Sequence, residues 1–417
     1  MRVLFINRML SLVRGGGETF DLEIGRHLAR RGCRVSYLSG IPIFGGGRPP
    51  VIPEDFRPLP AFHAVRTPYL TWLPWDRIPG GWRLWLADRS WFERRALNWI
   101  LPRQADYDII QLCEMPDWPA KAKVAGLSTP IVVRLTGPES VRHARNLHQA
   151  DGLVASGVTL ATIREHTGRE GVNVPNAVDT DLFRPHNSDF RERHGLAGST
   201  TLILYVARFH AFKNHELLLR AYAEFLQSVP DSRLLLVGAG HLEKTARQVC
   251  ARLGLAPRVL FLGEVPFTVL PDVYAAADIK VVSSDYESFC FAAIEAMSSG
   301  LPVVTTDCGW VPVLIGGQSA HLGGPAWNSG VGEEQSAEDL RVAPGGVITR
   351  PFEAKALARG LVLLAGDLQQ RRAMGAWNRL RAVTEHGWAG SADKLYSLYE
   401  KLIPARAGGT AEAGKTA

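Results

Sequence analysis

Short apolar segments alternate with longer amphipathic segments along most of the chain. In the first half, the apolar runs at residues 3–6, 34–38, 108–112 and 131–135 have the length of buried strands, and residues 18–31 carry apolar side chains at helical spacing. Strands that alternate with helices in this way are typical of a parallel sheet covered by helices. The first half of the chain is therefore predicted to be an α/β domain.

A second series of the same kind begins at residue 201. Its predicted elements are strand 202–206, helix 215–226, strand 233–237, helix 243–253, strand 259–262, helix 270–277, strand 279–283, helix 291–299 and strand 302–305. Residues 174–199 separate the two series and are rich in Pro, Asn, Asp and Gly, which is typical of a linker. We therefore expect two facing, doubly wound (Rossmann-like) α/β domains, residues 1–180 and 200–387, with a ligand in the cleft between them.

Three segments depart from this alternation. Residues 60–103 carry six of the eleven tryptophans. Residues 316–346 are rich in Gly, Ser and Glu and are predicted to be a loop insertion, and the tail 405–417 has no apolar pattern and is predicted to be disordered.

Composition narrows the class of protein further. The chain is 46% hydrophobic and 21% charged, which is typical of a folded protein rather than a disordered one. It has no run of 18 apolar residues, and Asn7 and Arg8 interrupt the apolar start too early for a signal peptide, so we predict a cytoplasmic protein. A net charge of +6 without a basic stripe gives no indication of nucleic-acid binding. The five scattered cysteines, with no CxxC pair, predict neither disulfides nor a zinc site.

The strongest chemical motif contains two glutamates separated by seven residues, Glu287 and Glu295. Glu287 lies in the loop after a predicted strand, and Glu295 lies two turns into the predicted helix that follows. The N-terminus of that helix, near Phe289, offers free N–H groups that suit a phosphate, while the two carboxylates suit sugar hydroxyls. A solvated glutamate beside an ordinary half-buried helix is the alternative interpretation.

A pair of cations, Arg208 and Lys213, lies in the loop after the strand at 202–206. Arginine offers a planar fork to phosphate oxygens and lysine a point charge, so the two together would neutralise a leaving diphosphate without a metal. The alternative is a solvated basic loop.

A glycine-rich turn at residues 15–18 follows the first strand and would let a phosphate approach the backbone closely. It lacks the full GxGxxG spacing. The turn with Gly238 and Gly240 also lacks the third glycine, so the pattern does not favour a nicotinamide dinucleotide site.

In this order, the motifs resemble those of the family-4 glycosyltransferases (glycosyl transferases group 1), which are retaining enzymes of the GT-B fold. The resemblance covers the glycine loop at 15–18, the Pro-Asn-Ala-Val-Asp turn at 175–179, Arg208 with Lys213, the Phe-Leu-Gly-Glu-Val loop at 261–265, Glu287 with Glu295, and Thr-Asp-Cys-Gly at 306–309. It implies transfer of a sugar from a nucleoside-diphosphate sugar to a hydroxyl acceptor, with retention, in bacterial polysaccharide or glycolipid synthesis. It implies no cofactor and no metal.

The resemblance also implies roles for individual residues. Arg208, Lys213 and Glu287 form the implied catalytic set. Arg208 and Lys213 would hold the diphosphate of the donor, and Gly16 and Gly17 would close on the phosphate. Glu287 would contact the transferred sugar, and the backbone of Phe289, Cys290 and Phe291 would bind the sugar or phosphate. Val265 would lie near the base, and Glu295 would bind the ribose. A final helix at 388–403 would cross back to the first domain.

Thr136 is the main departure from the family pattern, because it stands where the family often has a histidine. This side chain is expected on the acceptor side of the site, and threonine cannot carry the charge of a histidine. Either His143 or His148 would supply the role, or the protein is a weak or inactive homologue that acts as a partner. A sugar-nucleotide epimerase is a further alternative.

Two smaller departures affect the donor side. Ser288 and Cys290 stand where the family usually has glycine, and Cys290 fits best if its side chain points into the core. Asp179 and Asp181 form a DxD sequence, but they lie in the interdomain turn rather than after a strand, so no metal site is predicted there.

The tryptophan-rich segment 69–103 interleaves aromatic residues with arginines. Its arginines include Arg83, Arg89, Arg94, Arg95 and Arg103. This combination suits the headgroup region of a membrane, so we predict reversible contact with the inner membrane face. The resemblance implies a carbohydrate or lipid-linked acceptor, because this part of the first domain shapes the acceptor site in related enzymes. The alternative is that the tryptophans fill a core or a dimer contact.

Overall fold

The computed structural model describes residues 1–12, 15–43, 58–68, 80–322 and 339–403. These residues form two compact units. The first contains the described residues of Met1–Val174 together with those from Ser391 onward, and the second is Pro175–Gly390.

The first unit contains a seven-stranded parallel sheet with helices. Its elements are β1 Arg2–Ile6, α1 Gly16–Arg30, β2 Arg34–Pro42, β3 Ala61–Thr67, α2 Trp82–Ile100, β4 Ile109–Cys113, α3 Trp118–Val124, β5 Ile131–Arg134, α4 Pro138–Arg142, β6 Gly152–Ala155, α5 Val158–Thr167 and β7 Val172–Asn173. The strand order is β3-β2-β1-β4-β5-β6-β7, so the order reverses between β1 and β4.

The second unit also contains a seven-stranded sheet. Its elements are α6 Phe190–Arg193, β8 Thr201–Val206, α7 His215–Ser228, β9 Ser232–Val237, α8 Glu243–Arg252, β10 Val259–Gly263, α9 Leu270–Ala276, β11 Ile279–Val282, α10 Phe291–Ser298, β12 Val303–Thr306, α11 Val311–Leu314, β13 Leu340–Ala343, β14 Gly346–Thr349, α12 Ala354–Gly366 and α13 Leu368–Glu385. The order is β10-β9-β8-β11-β12-β14-β13, with the reversal between β8 and β11.

Apolar strands explain why both sheets are buried on two faces. In β1, residues 3–6 are fully buried, and in β8 residues 202–204 are as well. Side chains of alternate β8 residues belong to two separate apolar clusters, one packed with α9 and α10 and the other with α7 and α12. This two-sided burial is typical of a parallel sheet covered by helices.

The last described helix, α14 (Trp388–Leu402), belongs from Ser391 onward to the first unit. Its buried Tyr399 hydroxyl donates to Gln111 Oε1 of β4, and Asp393 forms an ion pair with Arg31. These contacts attach the helix to the first sheet.

Several elements were not predicted from the sequence. They are β3, α2, α3, α4, β6, α5, β7, α6, α11, β13, β14, α12 and α13. The loop insertion predicted for 316–346 is wrong at its end, where β13 pairs antiparallel with β14. The two strands have four residues each and meet at a Pro-Gly turn, so they are too short for a clear alternation. Residues 323–338 and the tail 405–417 lie outside the described residues.

Candidate active site

The second unit offers a ligand position where its strand order reverses. From β8 the sheet continues to β9, and from β11 it continues to β12 in the opposite direction. The loops that leave the carboxyl ends of β8 and β11 therefore diverge, and a crevice of this kind is where open α/β sheets bind ligands. Lys213 follows β8 and Glu287 follows β11.

Lys213 and Glu287 form an ion pair at this position. The Lys213 ammonium donates to Glu287 Oε1, and the Ser284 hydroxyl donates to the same oxygen at 2.6 Å. The two paired side chains are only 17% and 9% exposed. Burial alone would lower the pKa of Lys213, but the carboxylate of Glu287 outweighs it, so the pKa is raised. The pair is thus a fixed pair of charges with little access to water.

The backbone at Lys213 is held by the neighbouring strands. The Tyr205 hydroxyl donates to the Lys213 carbonyl oxygen, and Ser283 Oγ donates to it at 3.1 Å. Asn214 caps α7 by accepting the Leu217 N–H at 3.2 Å, and it adopts the left-handed conformation with φ of 49°. These bonds fix where the lysine side chain starts.

Arg208 has a different environment. Its side chain is exposed, and within the described ranges its guanidinium makes no hydrogen bond or ion pair. Its loop is supported by the turn after β9: a Cβ added at Gly238 would lie 2.2 Å from the Ala207 carbonyl oxygen, and one at Gly240 would lie 2.5 Å from the Phe209 carbonyl oxygen. These glycines do not form a dinucleotide motif, but they let two backbones meet beside Arg208.

The segment after β12 positions the backbone of Glu287. The Glu287 N–H donates to the Cys308 carbonyl at 2.6 Å, and the Glu287 carbonyl accepts the Trp310 N–H at 3.0 Å. Gly309, with φ of 98°, allows this pairing because a Cβ there would lie 2.7 Å from the Glu287 carbonyl oxygen. The Thr-Asp-Cys-Gly motif therefore acts on the site through Glu287.

The first residues around α10 present backbone rather than side chains to the site. Phe289 is 4% exposed and packs against His386, and the Phe291 ring stacks on Trp388. Cys290 has φ of 79°, in the left-handed region that favours glycine. Burial raises the pKa of its thiol to about 12, so the thiol is neutral.

Glu295 and Val265 complete the predicted donor set. Helix α10 begins at Phe291, as predicted, and Glu295 is its fifth residue, so Glu295 lies one turn in rather than two. The Tyr274 hydroxyl donates to Glu295 Oε2 at 2.7 Å, and burial raises the pKa of this carboxyl. Val265 is half-buried against the same apolar cluster as α10.

Sequence reasoning missed three side chains of this region. Ser284 bonds Glu287, Tyr274 bonds Glu295, and Lys280 is fully buried in β11. Of the three, only Lys280 could have been found from the sequence, because it interrupts an otherwise apolar strand. The hydroxyl partners depend on contacts between elements that are distant in sequence.

The first unit contains Gly16, Gly17 and Thr136. Gly16 and Gly17 begin α1 beside the reversal between β1 and β4, and a Cβ at Gly17 would lie 3.1 Å from Cys113 Sγ. Thr136 follows β5; its N–H donates to Glu114 Oε1 at 2.7 Å, and its hydroxyl donates to the same oxygen. Glu114 was not predicted as a site residue.

Glu114 and Met115 both have positive φ, at 62° and 58°. Positive φ is strained for a residue other than glycine, and strained residues of this kind are concentrated at the functional sites of proteins. His143, proposed to replace the family histidine, is exposed and contacts the Glu139 carbonyl in its own turn of helix at 2.8 Å. His148 is also exposed.

The DxD sequence forms a turn. Asp179 Oδ1 accepts the N–H groups of Asp181 and Leu182 at 3.1 and 3.0 Å. Across the described residues, no group of three or more His, Cys, Asp and Glu side chains is arranged to hold a metal ion.

Residues 69–79 of the tryptophan-rich segment lie outside the described residues. Helix α2 contains most of the rest of that segment. It leaves Leu84, Leu86 and Trp91 exposed together with arginines, and the helical spacing places Leu84 and Trp91 on one outer face. The exposed arginines of this face are Arg83, Arg94 and Arg95. Within the described residues, no helix combines the length and apolar character needed to cross a membrane.

Comparison with known proteins shows what part of the second unit is similar to. Residues 187–321 match the family model of the glycosyl transferases group 1. The chain is 33% identical over 248 residues to D-inositol 3-phosphate glycosyltransferase of Corynebacterium jeikeium, covering 56% of this chain and 52% of that protein. The enzyme of the same name from Segniliparus rotundus is 33% identical over 235 residues, covering 55% and 46%. The chain thus spans about half the length of these relatives.

Solved structures resemble the chain over nearly all its length. Sucrose-phosphate synthase from Thermosynechococcus elongatus has a TM-score of 0.74 at 20% identity, covering 96% of this chain and 98% of that one. Anabaena Alr3699/HepE in complex with UDP has a TM-score of 0.68 at 20% identity, covering 96% and 100%. The predicted α/β fold with two doubly wound units, as in GT-B glycosyltransferases, is confirmed.

Proposed function

We propose that this chain, which carries a glycosyl transferases group 1 domain at residues 187–321, moves a sugar from a nucleoside-diphosphate sugar to a hydroxyl acceptor with retention. The observation that carries the proposal is the buried Lys213–Glu287 pair at the strand reversal, with the guanidinium of Arg208 earlier in the loop that carries Lys213. This arrangement combines fixed cations for a diphosphate with a carboxylate for sugar hydroxyls.

In the proposed mechanism, the cations act on the leaving group. An ammonium has three N–H donors, and Glu287 uses one of those of Lys213, so the others are directed to phosphate oxygens. Arg208, exposed and unpaired among the described residues, adds a second cation as negative charge develops on the departing diphosphate. Lys213 is held by Glu287 and does not have to reorganise during the reaction, which is the condition for effective electrostatic stabilisation.

The carboxylates and backbone groups orient the donor. Glu287 accepts hydrogen bonds from hydroxyls of the transferred sugar through the oxygen that is not bonded to Lys213. Glu295 accepts ribose hydroxyls, and the first N–H groups of α10 supply donors and the positive end of a helix dipole. Val265, beside the end of β10, borders the base. No general base is assigned.

The acceptor is proposed to bind the first unit near Thr136. A cavity of about 950 Å³ opens beside α4, and charged side chains interrupt its largely apolar surface. Glu93, 4% exposed, accepts from Arg89 at 2.9 Å and from Lys121 at 2.6 Å along this wall. Alternating charges of this kind suit a polar, hydroxyl-rich acceptor such as a carbohydrate or a lipid-linked sugar.

Helix α2 is proposed to bring the enzyme to the inner membrane face. Its exposed Trp91 and Leu84 offer apolar contact, and the arginines on the same face would interact with anionic headgroups. This location fits synthesis of a bacterial polysaccharide or glycolipid by a peripheral, cytoplasmic enzyme. No metal and no cofactor is part of the proposal.

A thermal-shift panel with UDP, GDP, ADP and dTDP tests donor binding first. A nucleotide at about 100 times its Kd adds about 2.7 kcal/mol of stability, which moves the melting temperature by a few degrees. The shift should disappear in Arg208→Ala, whereas the exposed Arg252→Ala in α8 should keep it. If no nucleotide shifts the wild type, the proposal of a transferase is wrong and the inactive homologue is favoured.

Transfer itself is tested with the sugar conjugate of the nucleotide that binds. Incubation with candidate acceptors should give a glycoside whose anomeric configuration, measured by NMR coupling constants, equals that of the donor. An inverted product would overturn retention. Epimerised donor in the absence of acceptor would favour the epimerase, and turnover that is lost in EDTA and restored by manganese would overturn metal independence.

A further inference from the structure

Lys280 is a buried cation that the proposed mechanism does not use. It lies in the middle of β11, between Leu204 of β8 and Val303 of β12 in the sheet register. Its side chain is 0% exposed, and its ammonium has no hydrogen-bond partner among the described residues. A buried and unpartnered ammonium is costly, so a contribution to stability does not explain its presence.

The ammonium is directed toward the candidate donor site. It lies 5.1 Å from the ring centre of Tyr205, the residue whose hydroxyl holds the Lys213 carbonyl. The titratable groups that face it come from four parts of the unit, namely Tyr205 of β8, Lys213 and His215 around the start of α7, Glu287 and Cys290 in the loop after β11, and Glu295 of α10.

The charges of this cluster balance only if Lys280 is included. Lys213 and Lys280 provide two positive charges, and Glu287 and Glu295 provide two negative ones. Without Lys280 the cluster would carry one net negative charge, next to the position where an anionic diphosphate has to bind. Glu295 would also lose the one lysine that favours its ionised form.

We propose that Lys280 is a positioning residue of the donor site, a buried cation whose charge offsets the carboxylates of Glu287 and Glu295 and makes the cluster accept a nucleoside diphosphate. The inference rests on the proposed function, because it assigns the residue to the donor of that reaction. Lys280 touches no substrate in this scheme and acts through the field of its charge and through Glu295.

The pH dependence of binding follows from two opposite shifts. Burial lowers the pKa of Lys280 to about 8, so the charge is present at neutral pH and is lost as the pH rises through about 8. Burial raises the pKa of Glu295, and Lys280 opposes that rise. Nucleotide affinity should therefore fall above pH 8, where the terminal phosphate of UDP is already fully ionised and cannot cause the change.

The test compares wild type with Lys280→Met, since methionine fills a similar volume without a charge. UDP is titrated calorimetrically at several pH values between 6.5 and 9, with GDP, ADP and dTDP in its place if the wild type does not bind UDP. Melting temperatures are measured without ligand. The control is Lys244→Met, which removes an exposed lysine of α8.

We expect Lys280→Met to bind the nucleotide at least tenfold more weakly at pH 7, to lose the decline near pH 8, and to melt at the same or a higher temperature. Unchanged affinity and an unchanged pH profile would overturn the role of Lys280 while leaving the proposed function intact. A variant that unfolds or melts several degrees lower would assign Lys280 a structural role and also overturn the inference. If the wild type binds none of the four nucleotides, the proposed function fails and the inference fails with it.

The wild-type pH profile tests the same inference without any substitution. A decline of affinity centred near pH 8 supports it, and an affinity that stays constant from pH 7 to 9 contradicts it. This measurement does not depend on whether the Lys280 variant folds.

Discussion

The Lys213 ammonium donates to Glu287 Oε1 and so connects two loops that are 74 residues apart in the sequence. Each residue follows one of the two central strands, β8 and β11, at the point where the strand order reverses. The same oxygen of Glu287 also accepts the Ser284 hydroxyl, so the second oxygen is the one that the proposed donor sugar would contact. Under the proposed function, one carboxylate thus has a structural and a binding role.

Glu287→Gln should separate these roles experimentally. The amide oxygen still accepts from Lys213 and Ser284, but the ammonium loses its counter-charge, so we expect a stability loss of about 1 kcal/mol. Hydrogen bonds to a charged acceptor contribute about 1.5–3 kcal/mol, so sugar transfer should fall by roughly 10- to 100-fold in kcat/KM. Glu287→Ala leaves a half-buried lysine without its partner and should destabilise the unit by more, about 1–3 kcal/mol. Equal activity in wild type and Glu287→Gln would remove Glu287 from the donor site.

Gly238→Ala should displace the Arg208 loop. The added Cβ would meet the Ala207 carbonyl oxygen at 2.2 Å, and φ of 129° is unfavourable for alanine, so we expect a loss of more than about 2 kcal/mol in urea unfolding. Nucleotide binding should weaken as well, because Arg208 starts from this backbone.

Gly254→Ala is the matched control for this substitution. Gly254 also has positive φ, at 68°, but nothing lies within 4 Å of its added Cβ, so only the conformational cost of about 1 kcal/mol remains. Nucleotide affinity should stay at the wild-type value. If the free energy of unfolding falls equally in the two variants, the contact with the Ala207 carbonyl oxygen does not affect stability.

The sequence predicted the strands that carry this site because they are largely apolar runs followed by charged or glycine-rich loops. It missed β13 and β14, where pairing across a tight turn rather than apolar length defines the strands. Arg208, Lys213, Glu287 and Glu295 were found as motifs, whereas the partners Tyr274 and Ser284 could not be. A hydroxyl that bonds a residue on another element leaves no local pattern.

Helix α2 should bind anionic vesicles through its outer face. Arginines near an anionic surface contribute about 1 kcal/mol each, so Arg94→Glu combined with Arg95→Glu should reduce co-sedimentation by at least tenfold at low salt. Trp91→Ala should weaken binding to a smaller extent, since its indole N–H also bonds the Arg66 carbonyl at 3.2 Å within the fold. Vesicles of neutral phosphatidylcholine provide the comparison. If wild type does not sediment with anionic vesicles at low salt, the membrane proposal is wrong.

His215 should make the second unit sensitive to acid. Its ring is 7% exposed and stacks on Phe209 at 4.0 Å, and burial, followed by the charges of Lys213 and Lys280, lowers its pKa to about 4. The unfolded chain binds the proton near pH 6.5, so this contribution to stability is complete above that pH and is lost as the pH falls from about 6.5 toward 4. The loss amounts to about 3 kcal/mol over that window.

This prediction is measured as a difference between variants, because other groups titrate in the same range. His215→Gln removes the titrating ring, so its free energy of unfolding should decline less between pH 6.5 and 4.5 than that of the wild type. The exposed His241→Gln should follow the wild-type slope. Equal slopes in all three proteins would mean that His215 is protonated in the folded state, and the neutral ring stacked beside Lys213 would then be the wrong description of this part of the site.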